Sequence, residues 1–179
     1  MGEPTDDLDA ALGALVALHR EVDARVAEVA ARHGARLRCT RGCAACCVDG
    51  LTVFEIEAER IRRSHAQLLR GGELHPAGGC ALLDAGGACR IYPDRPYVCR
   101  TQGLPLRWLE ERDDGEIVER RDICPENLAG RPLAALADED QWLLGPTEGR
   151  LAAIQARADG GRLRRVALRS LFRRGRPEQ

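Results

Sequence analysis

Cysteines are the residues of this sequence best suited to chemistry. The first four follow the pattern C-x3-C-x2-C-C, and thiolates so close on an irregular loop can converge on one metal ion or cluster at little cost in chain entropy. The remaining four are spread over the following stretch of the chain. The sequence therefore predicts a metal site whose candidate ligands are Cys39, Cys43, Cys46, Cys47, Cys80, Cys89, Cys99 and Cys124.

The adjacent pair Cys46-Cys47 limits how these thiols can be shared. Neighbouring side chains in extended backbone point to opposite faces, so the pair is not expected to bind one metal centre together. Two four-thiolate sites would use all eight cysteines, whereas one four-thiolate cluster would leave several reduced thiols in the core. We favour the second arrangement slightly, with Cys39, Cys43 and one member of the pair joined by Cys99.

Chemistry alone does not identify the metal, because four thiolates suit tetrahedral Zn²⁺ and an iron–sulfur cluster equally well. Either centre would carry negative charge. Arg95 and Arg100 flank Cys99, and we expect them to stabilise the bound metal or cluster. Cys99 is also expected in the first turn of a short helix, where the helix dipole favours a thiolate.

Composition supports a metal cross-link and a reducing compartment. The chain has only two Phe, two Tyr and two Trp in 179 residues, so its core is short of large side chains. Its basic residues are all arginines, which excludes a Schiff-base lysine. The acidic N-terminus does not resemble a secretory signal, and no apolar stretch suggests a membrane span. We therefore expect a cytoplasmic protein with reduced thiols.

The elements that must position the cysteines begin with a long helix over residues 6–33. Its apolar stripe repeats in steps of four and three, and we expect the stripe to be covered by the C-terminal helices or by a second chain. An unknown protein partner could therefore bind through this helix. The stripe consists of Leu8, Leu12, Leu15, His19, Val22, Val26, Val29 and His33.

Further helices and turns frame the cysteine-rich centre. A capping box of Thr52 and Glu55 predicts a second helix over 52–70. Glycine-rich turns predict a small hairpin over 80–92 and another over 104–120, with a helical turn containing Cys99 between them. The rest of the chain predicts helices over 133–144, 147–158 and 163–173.

Taken together, these elements predict a mainly α fold with a small irregular cysteine-rich centre containing short β-hairpins, an α+β class. We expect three parts: a long amphipathic helix over 1–34, a cysteine-cluster domain over 35–128, and C-terminal helices with a basic tail over 129–179. No Ser–His–Asp set, Walker loop or Gly-x-Gly-x-x-Gly motif is present, so no catalytic residue is assigned.

The two ends of the chain have opposite charge. Residues 1–35 carry seven acids and three arginines, whereas residues 160–179 carry seven arginines and one glutamate. This asymmetry predicts attraction between the ends, or an anionic partner such as nucleic acid for the tail. The arginines of the tail are Arg162, Arg164, Arg165, Arg169, Arg173, Arg174 and Arg176.

The cysteine pattern resembles the YkgJ-like cysteine-cluster family, whose domain is described as chelating zinc or iron. The resemblance continues through Cys89-Arg90-Ile91-Tyr92, Arg95-Pro96 and Cys99-Arg100 to Cys124, and covers about residues 36–126. A larger relative, the flagellin lysine N-methylase, shares the cysteine pattern and uses an iron–sulfur cluster. This resemblance favours an iron–sulfur cluster, expected as 4Fe-4S, over zinc and does not confer methylase activity. We expect the cluster to have a redox or modification role. The alternative is a structural zinc or metal-handling module that presents helices to a protein or nucleic-acid partner.

Overall fold

A computed structural model describes residues 4–172 of the chain. This part of the protein contains five α-helices, five short strands and several short 3-10 turns. The helices are α1 (Pro4–His33), α2 (Glu55–Ser64), α3 (Ala66–Gly71), α4 (Tyr97–Thr101) and α5 (Pro146–Asp159). The strands are β1 (Thr52–Phe54), β2 (Leu106–Glu111), β3 (Ile117–Asp122), β4 (Trp142–Leu143) and β5 (Arg165–Ala167). This mixture confirms the predicted α+β class.

Helix α1 forms where its apolar periodicity predicted, and its stripe is covered by the same chain. Leu15 and Val29 are completely buried, and they pack in one apolar cluster with Leu151 and Ile154 of α5. Ile56 of α2 belongs to the same cluster. The predicted role of a C-terminal helix in covering the stripe is confirmed.

The second predicted helix is confirmed, but it starts later than the capping box suggested. Thr52 belongs to β1, which pairs antiparallel with β5, so its hydroxyl accepts a hydrogen bond from Arg165 instead of capping a helix. The carboxylate of Glu57 takes over the capping role by accepting the backbone N–H of Phe54 at 3.3 Å. The helix breaks at His65 and resumes as α3.

Both predicted hairpins are present, though the first is minimal. It consists of one antiparallel bridge between Leu83 and Cys89, with the Asp84 carboxylate accepting the N–H groups of Gly86 and Ala88 inside the turn. The second forms the full pair β2–β3, and β4 adds to β2 in parallel.

The predicted helix over 133–144 is wrong. The segment contains two 3-10 turns, Leu133–Ala135 and Asp138–Asp140, followed by β4. Backbone pairing with β2 competes successfully with helix formation here: the N–H of Trp142 donates to Pro105 O at 2.8 Å, and that of Leu144 to Arg107 O at 2.9 Å. Trp142 is thereby buried against Tyr97.

Helix α5 confirms the prediction over 147–158, whereas the helix predicted over 163–173 is wrong. The Asp159 carboxylate accepts the N–H groups of Arg162, Leu163 and Arg164, which turns the chain after α5. The following residues form β5 and a 3-10 turn, Leu168–Leu171. The tail arginines beyond this point, Arg173, Arg174 and Arg176, lie outside the described residues.

Two of the described tail arginines, Arg165 and Arg169, contact the central part of the chain. Arg165 donates to Thr52 O at 2.7 Å and lies over the Phe54 ring. Arg169 pairs with Asp49 at 2.8 Å and donates to backbone oxygens of the 75–79 segment. The Asp49 carboxylate and these backbone oxygens are thus the groups that Arg169 neutralises or satisfies.

A second apolar cluster lies beneath the cysteine loops. Val53, Ile61, Leu82 and Ile91 are almost completely buried in it, and Leu168, Leu171 and Phe172 close it from the tail. Within residues 4–172, no helix combines the length and the apolar character needed to cross a membrane.

The packing of α1 on α5 makes the first testable prediction. Replacing the fully buried Leu15 by alanine leaves a cavity between these helices, and we expect the free energy of unfolding to fall by about 2–5 kcal/mol. Leu109, which is 66% exposed, provides the matched control, since its replacement by alanine should change stability by less than about 0.5 kcal/mol. Denaturant unfolding of both variants measures the difference, and equal losses would contradict the packing.

Candidate metal centre

The first four cysteines lie on a loop shaped by two consecutive turns. The N–H of Cys43 donates to Thr40 O at 3.0 Å, and the N–H of Cys47 donates to Ala44 O at 2.9 Å. Cys46 therefore lies inside a turn, so the extended backbone assumed for the Cys46-Cys47 pair is wrong. The two side chains differ all the same in their packing, because Cys47 contacts the apolar cluster beneath the loops.

The segment that carries Cys80 is hydrogen-bonded directly to this loop. The N–H of Cys80 donates to Cys47 O at 2.9 Å, and Val48 and Gly79 form an antiparallel bridge beside it. Cys80 is buried within the apolar cluster, and Cys89 packs against the same cluster from the first hairpin. Cys47, Cys80 and Cys89 thus come together although they are distant in sequence.

Cys99 is positioned by α4, and a buried carboxylate holds the start of that helix. Glu57 is only 4% exposed, and it accepts the N–H of Tyr97 at 2.8 Å. Its other oxygen accepts the N–H of Phe54 at the start of α2. Glu57 therefore fixes the orientation of α4, and with it the backbone of Cys99, relative to α2.

Asn127 joins the first cysteine to the last. Its side chain is completely buried, accepts the N–H of Arg38 at 2.9 Å and donates to Gly103 O at 2.8 Å. The same amide group lies 3.6 Å from Cys39 Sγ, and the backbone N–H of Asn127 donates to Cys124 O at 2.8 Å. Cys39 and Cys124 are consequently held at one corner of the loop.

Gly103 leaves the space that Cys39 occupies. It adopts a positive φ of 92°, and a Cβ atom at this position would come within 2.5 Å of Cys39 Sγ. A larger residue would therefore be strained in its backbone and would displace the thiol. Glycine is required at this position if Cys39 is to keep its place.

The thiols influence one another's ionisation. The neighbouring Cys47 thiol lowers the pKa of Cys46 to about 6, since its S–H can hydrogen-bond to the Cys46 thiolate, and the pKa of Cys47 rises in return. Burial raises the pKa of Cys99 to about 12, and the charges of Cys80 and Cys89 contribute to the rise. Burial therefore outweighs the stabilisation of a Cys99 thiolate that was expected from the start of the short helix.

Cys124 belongs to a different neighbourhood. Burial raises its pKa, and the negative charges that add to this rise come from Cys39, Cys46 and Cys43. Burial also raises the pKa of Cys89, where Cys80 adds to the rise and Arg95 and Arg90 oppose it.

The two arginines proposed to stabilise the bound group have other contacts. Arg100 is 3% exposed; it pairs with Asp23 of α1 and donates to Pro93 O at 2.9 Å. Arg95 stacks on the Tyr92 ring, with its guanidinium carbon 4.0 Å from the ring centre, and donates to Tyr92 O. Of the two, Arg95 is the one whose charge acts on Cys89.

A buried histidine completes the surroundings of Glu57. His19 of α1 accepts a hydrogen bond from Arg60 at its Nδ1 atom, which places the ring proton on Nε2, 3.5 Å from Glu57. Burial lowers the pKa of His19, so the ring is neutral at pH 7. Arg60 in turn is held by Asp94 at 2.7 Å.

All eight cysteines are free thiols, and as donors they suit zinc, iron–sulfur clusters and other thiophilic metals. Within residues 4–172, however, no three His, Cys, Asp or Glu side chains already stand in the arrangement that a metal ion needs. The expectation that four sulfurs would lie ready to share one site is therefore not met.

Sequence reasoning missed Asn127, although it bridges two of the candidate ligands. A signal was present in Cys124-Pro125-Glu126-Asn127, because proline after Cys124 favours a tight turn and asparagine can satisfy neighbouring backbone groups. The sequence could not indicate that this amide would reach Cys39.

Comparison with known proteins identifies the central part of the chain. Residues 38–125 match the family model CxxCxxCC, described as "Putative zinc- or iron-chelating domain". The matched region includes all eight cysteines. No curated protein and no solved structure matches the chain.

Replacing Asn127 by alanine tests the corner that holds Cys39 and Cys124. The change leaves the N–H of Arg38 without a partner, and we expect unfolding to become easier by about 1–3 kcal/mol. The adjacent Leu128 is 62% exposed, and its replacement by alanine should have little effect. Thermal and denaturant unfolding provide the measurement, and an Asn127→Ala variant as stable as the wild type would rule out this role.

The buried His19 predicts a pH dependence of stability. Because its pKa is lowered in the folded protein, the unfolded chain binds more protons below an ordinary histidine pKa of about 6.5, and the free energy of unfolding should decrease as the pH falls through that value. His19→Gln removes the titrating ring and should lessen this decrease. Unfolding measured at pH 7.5 and 5.5 compares the two proteins; identical decreases would count against a buried neutral His19.

Proposed function

We propose that this protein binds metal through its cysteine thiolates and holds an iron–sulfur cluster, because residues 38–125 match the CxxCxxCC family model. The observation that carries the proposal is the convergence of three distant segments on one region. The first loop, the Cys80 segment and the first hairpin meet through the Cys47–Cys80 hydrogen bond and a shared apolar cluster. Thiolate ligands are the donors that iron–sulfur clusters use.

Iron is favoured over zinc by the position of some of the thiols. Cys39 is exposed, and Cys43, Cys46 and Cys124 are only half-buried. A cluster bound by these residues would have an edge near the solvent, where electrons can be exchanged with another molecule. When bound, such a cluster supplies one-electron redox chemistry, and the protein's contribution is to hold the thiolates and limit solvent access.

The second candidate function is a structural zinc module, and the buried thiols favour it. Cys80 lies in the apolar cluster, and a closed four-thiolate zinc site would cross-link the loops that otherwise depend on a small core. In that case the helices around the centre would be the surface presented to a protein or nucleic-acid partner. Both candidates require reduced thiols, and we propose a cytoplasmic location for this reason.

The positive charges around the thiols support either metal. The charges of Arg90 and Arg95 act on Cys89 and offset part of the negative charge that several thiolates would accumulate. Arg90 is fixed by hydrogen bonds to Ala81 O and Leu82 O, so its position does not depend on the metal.

Purification without oxygen, followed by metal and sulfide analysis, tests the proposal. We expect a brown protein with a broad visible absorption band that is bleached by reduction, and iron and sulfide in equal amounts. Cys43→Ser should lose bound metal, whereas Thr40→Ser on the same loop should retain the wild-type content. A colourless protein containing zinc would replace the first candidate by the second, and a protein that binds neither metal would refute both.

A further inference from the structure

We propose that a cavity beside α4 binds a free α-amino acid with an apolar side chain. In this complex Arg165 of β5 pairs with the carboxylate of the ligand, and Glu148 of α5 pairs with its ammonium group. Among the described residues, none of those that line the cavity is a cysteine. This is therefore a second site, which does not depend on the proposed metal binding.

The cavity lies where several elements of the fold meet, and its size suits a small molecule. Residues of β1, β2, β5, α4 and α5 line it. Its volume is about 220 Å³, below the roughly 300–1,000 Å³ of pockets that hold drug-sized ligands. At about 30 Å³ per water it would hold about seven water molecules, and bonded atoms need less room, so a molecule of about ten non-hydrogen atoms fits.

Apolar side chains form a large part of the cavity wall. Val53 and Leu151 are buried, whereas Phe54, Leu106 and Leu144 remain half-buried beside the open space. An apolar group in the cavity would remove this remaining surface from water, which is favourable. The wall therefore favours a ligand with an aliphatic side chain.

Arg165 presents an anchored positive charge at the cavity. Its Nε and Nη2 atoms donate to the hydroxyl and the backbone oxygen of Thr52, at 3.3 and 2.7 Å, and its guanidinium carbon lies 4.6 Å from the centre of the Phe54 ring. These contacts fix the plane of the guanidinium before any ligand arrives. A guanidinium held in this way is well suited to bind a carboxylate, because less side-chain entropy is lost on binding.

Glu148 presents an anchored negative charge from the first turn of α5. One of its oxygens accepts the N–H of Gly145 at the start of the helix. The hydroxyl of Tyr97, which also lines the cavity, accepts the indole N–H of Trp142 at 2.8 Å, so this part of the wall is fixed as well. Neither Glu148 nor Arg165 forms an ion pair with any side chain that the structure describes.

Two opposite charges beside one apolar space favour a zwitterion. A simple carboxylate would pair with Arg165 but would be repelled by Glu148, and a simple amine would be repelled by Arg165. An α-amino acid carries both charges at one end and its side chain at the other. It can therefore satisfy both residues while its side chain contacts the apolar wall.

Calorimetric titration of the full-length protein as isolated tests the site with three matched probes. L-leucine should bind with a Kd of about 1 mM or tighter, the strength expected of a ligand of this size. 4-Methylpentanoate is leucine without its amino group, and 3-methylbutylamine is leucine without its carboxylate; each should bind at least about tenfold more weakly. Absence of leucine binding at about tenfold higher concentration than this Kd, or equal binding of either analogue, would overturn the proposal.

Variants that remove one charge each test which residue contacts which end of the ligand. Arg165→Gln and Glu148→Gln should each weaken leucine binding at least about tenfold, whereas Arg164→Gln changes an exposed neighbour outside the cavity and should have no effect. In Glu148→Gln, leucine and 4-methylpentanoate should bind equally, because the partner of the amino group is gone. In Arg165→Gln, leucine and 3-methylbutylamine should become equal in the same way.

This pattern distinguishes loss of a ligand contact from loss of structure. The amide of Glu148→Gln can still accept the N–H of Gly145, and β5 keeps its backbone pairing with β1 in Arg165→Gln. A variant that unfolds would lose its helical circular dichroism and bind none of the probes, and the three probes on the wild-type protein would then decide. Unchanged leucine binding in both folded variants would overturn the assignment of the site.

Discussion

The carboxylate of Glu57 connects the helical frame to the cysteine loops, and the geometry of the site depends on it. One of its oxygens accepts the first N–H of α4, the other accepts the N–H of Phe54 at the start of α2, and His19 of α1 lies 3.5 Å away. A buried carboxylate is costly unless it is hydrogen-bonded, so these contacts are made together or not at all. Three helices are thereby fixed around one charge, and α4 carries Cys99 toward the loops.

The cysteine loops have little regular structure of their own, which explains why they need such a frame. Within residues 37–50 the backbone is held mainly by two turns and a bridge to Gly79. The apolar cluster beneath them provides the remaining support, and Arg169 ties Asp49 to the tail. A bound metal would cross-link the loops where backbone hydrogen bonds are sparse. Its binding energy would add to the stability of the fold.

The packing of an element could be predicted from the sequence where one of its faces carries a regular apolar pattern. The stripe that includes Leu15 and Val29 predicted α1 and its covering, because the helical periodicity is sustained over most of this 30-residue helix. The start of α2 could not be predicted, because both Glu55 and Glu57 follow the possible caps and only the pairing of β1 with β5 decides between them. The helix predicted for the tail is wrong for the same reason. Its apolar residues fit a helix, but hydrogen bonds to Asp159 form a turn and pairing with β1 forms a strand.

In the candidate site, the spacing of residues close in sequence could be interpreted, whereas contacts between residues distant in sequence could not be predicted. Cysteine spacing was sufficient to predict metal binding by this region, and the match of residues 38–125 to a zinc- or iron-chelating domain model supports it. The choice of partners for each thiol depends on contacts made by Asn127, Glu57 and Gly103, which are distant in sequence from the residues they position. Arg95 and Arg100 illustrate the limit, since adjacency to Cys99 suggested charge stabilisation, yet Arg100 instead pairs with Asp23 on α1.

The cysteine thiols of this small region differ in burial, and therefore in how easily they ionise. Thiols that pack on the apolar cluster are costly to ionise, as the raised pKa of Cys89 shows, and a metal bound there would be shielded from solvent. Cys39, by contrast, is exposed to solvent. Cys46 and Cys47 are consecutive and their thiols are hydrogen-bonded, so a change in the charge of one thiol alters the pKa of the other. The protonation of the two thiols is therefore coupled, and loss of the Cys46 proton makes the Cys47 thiol harder to ionise.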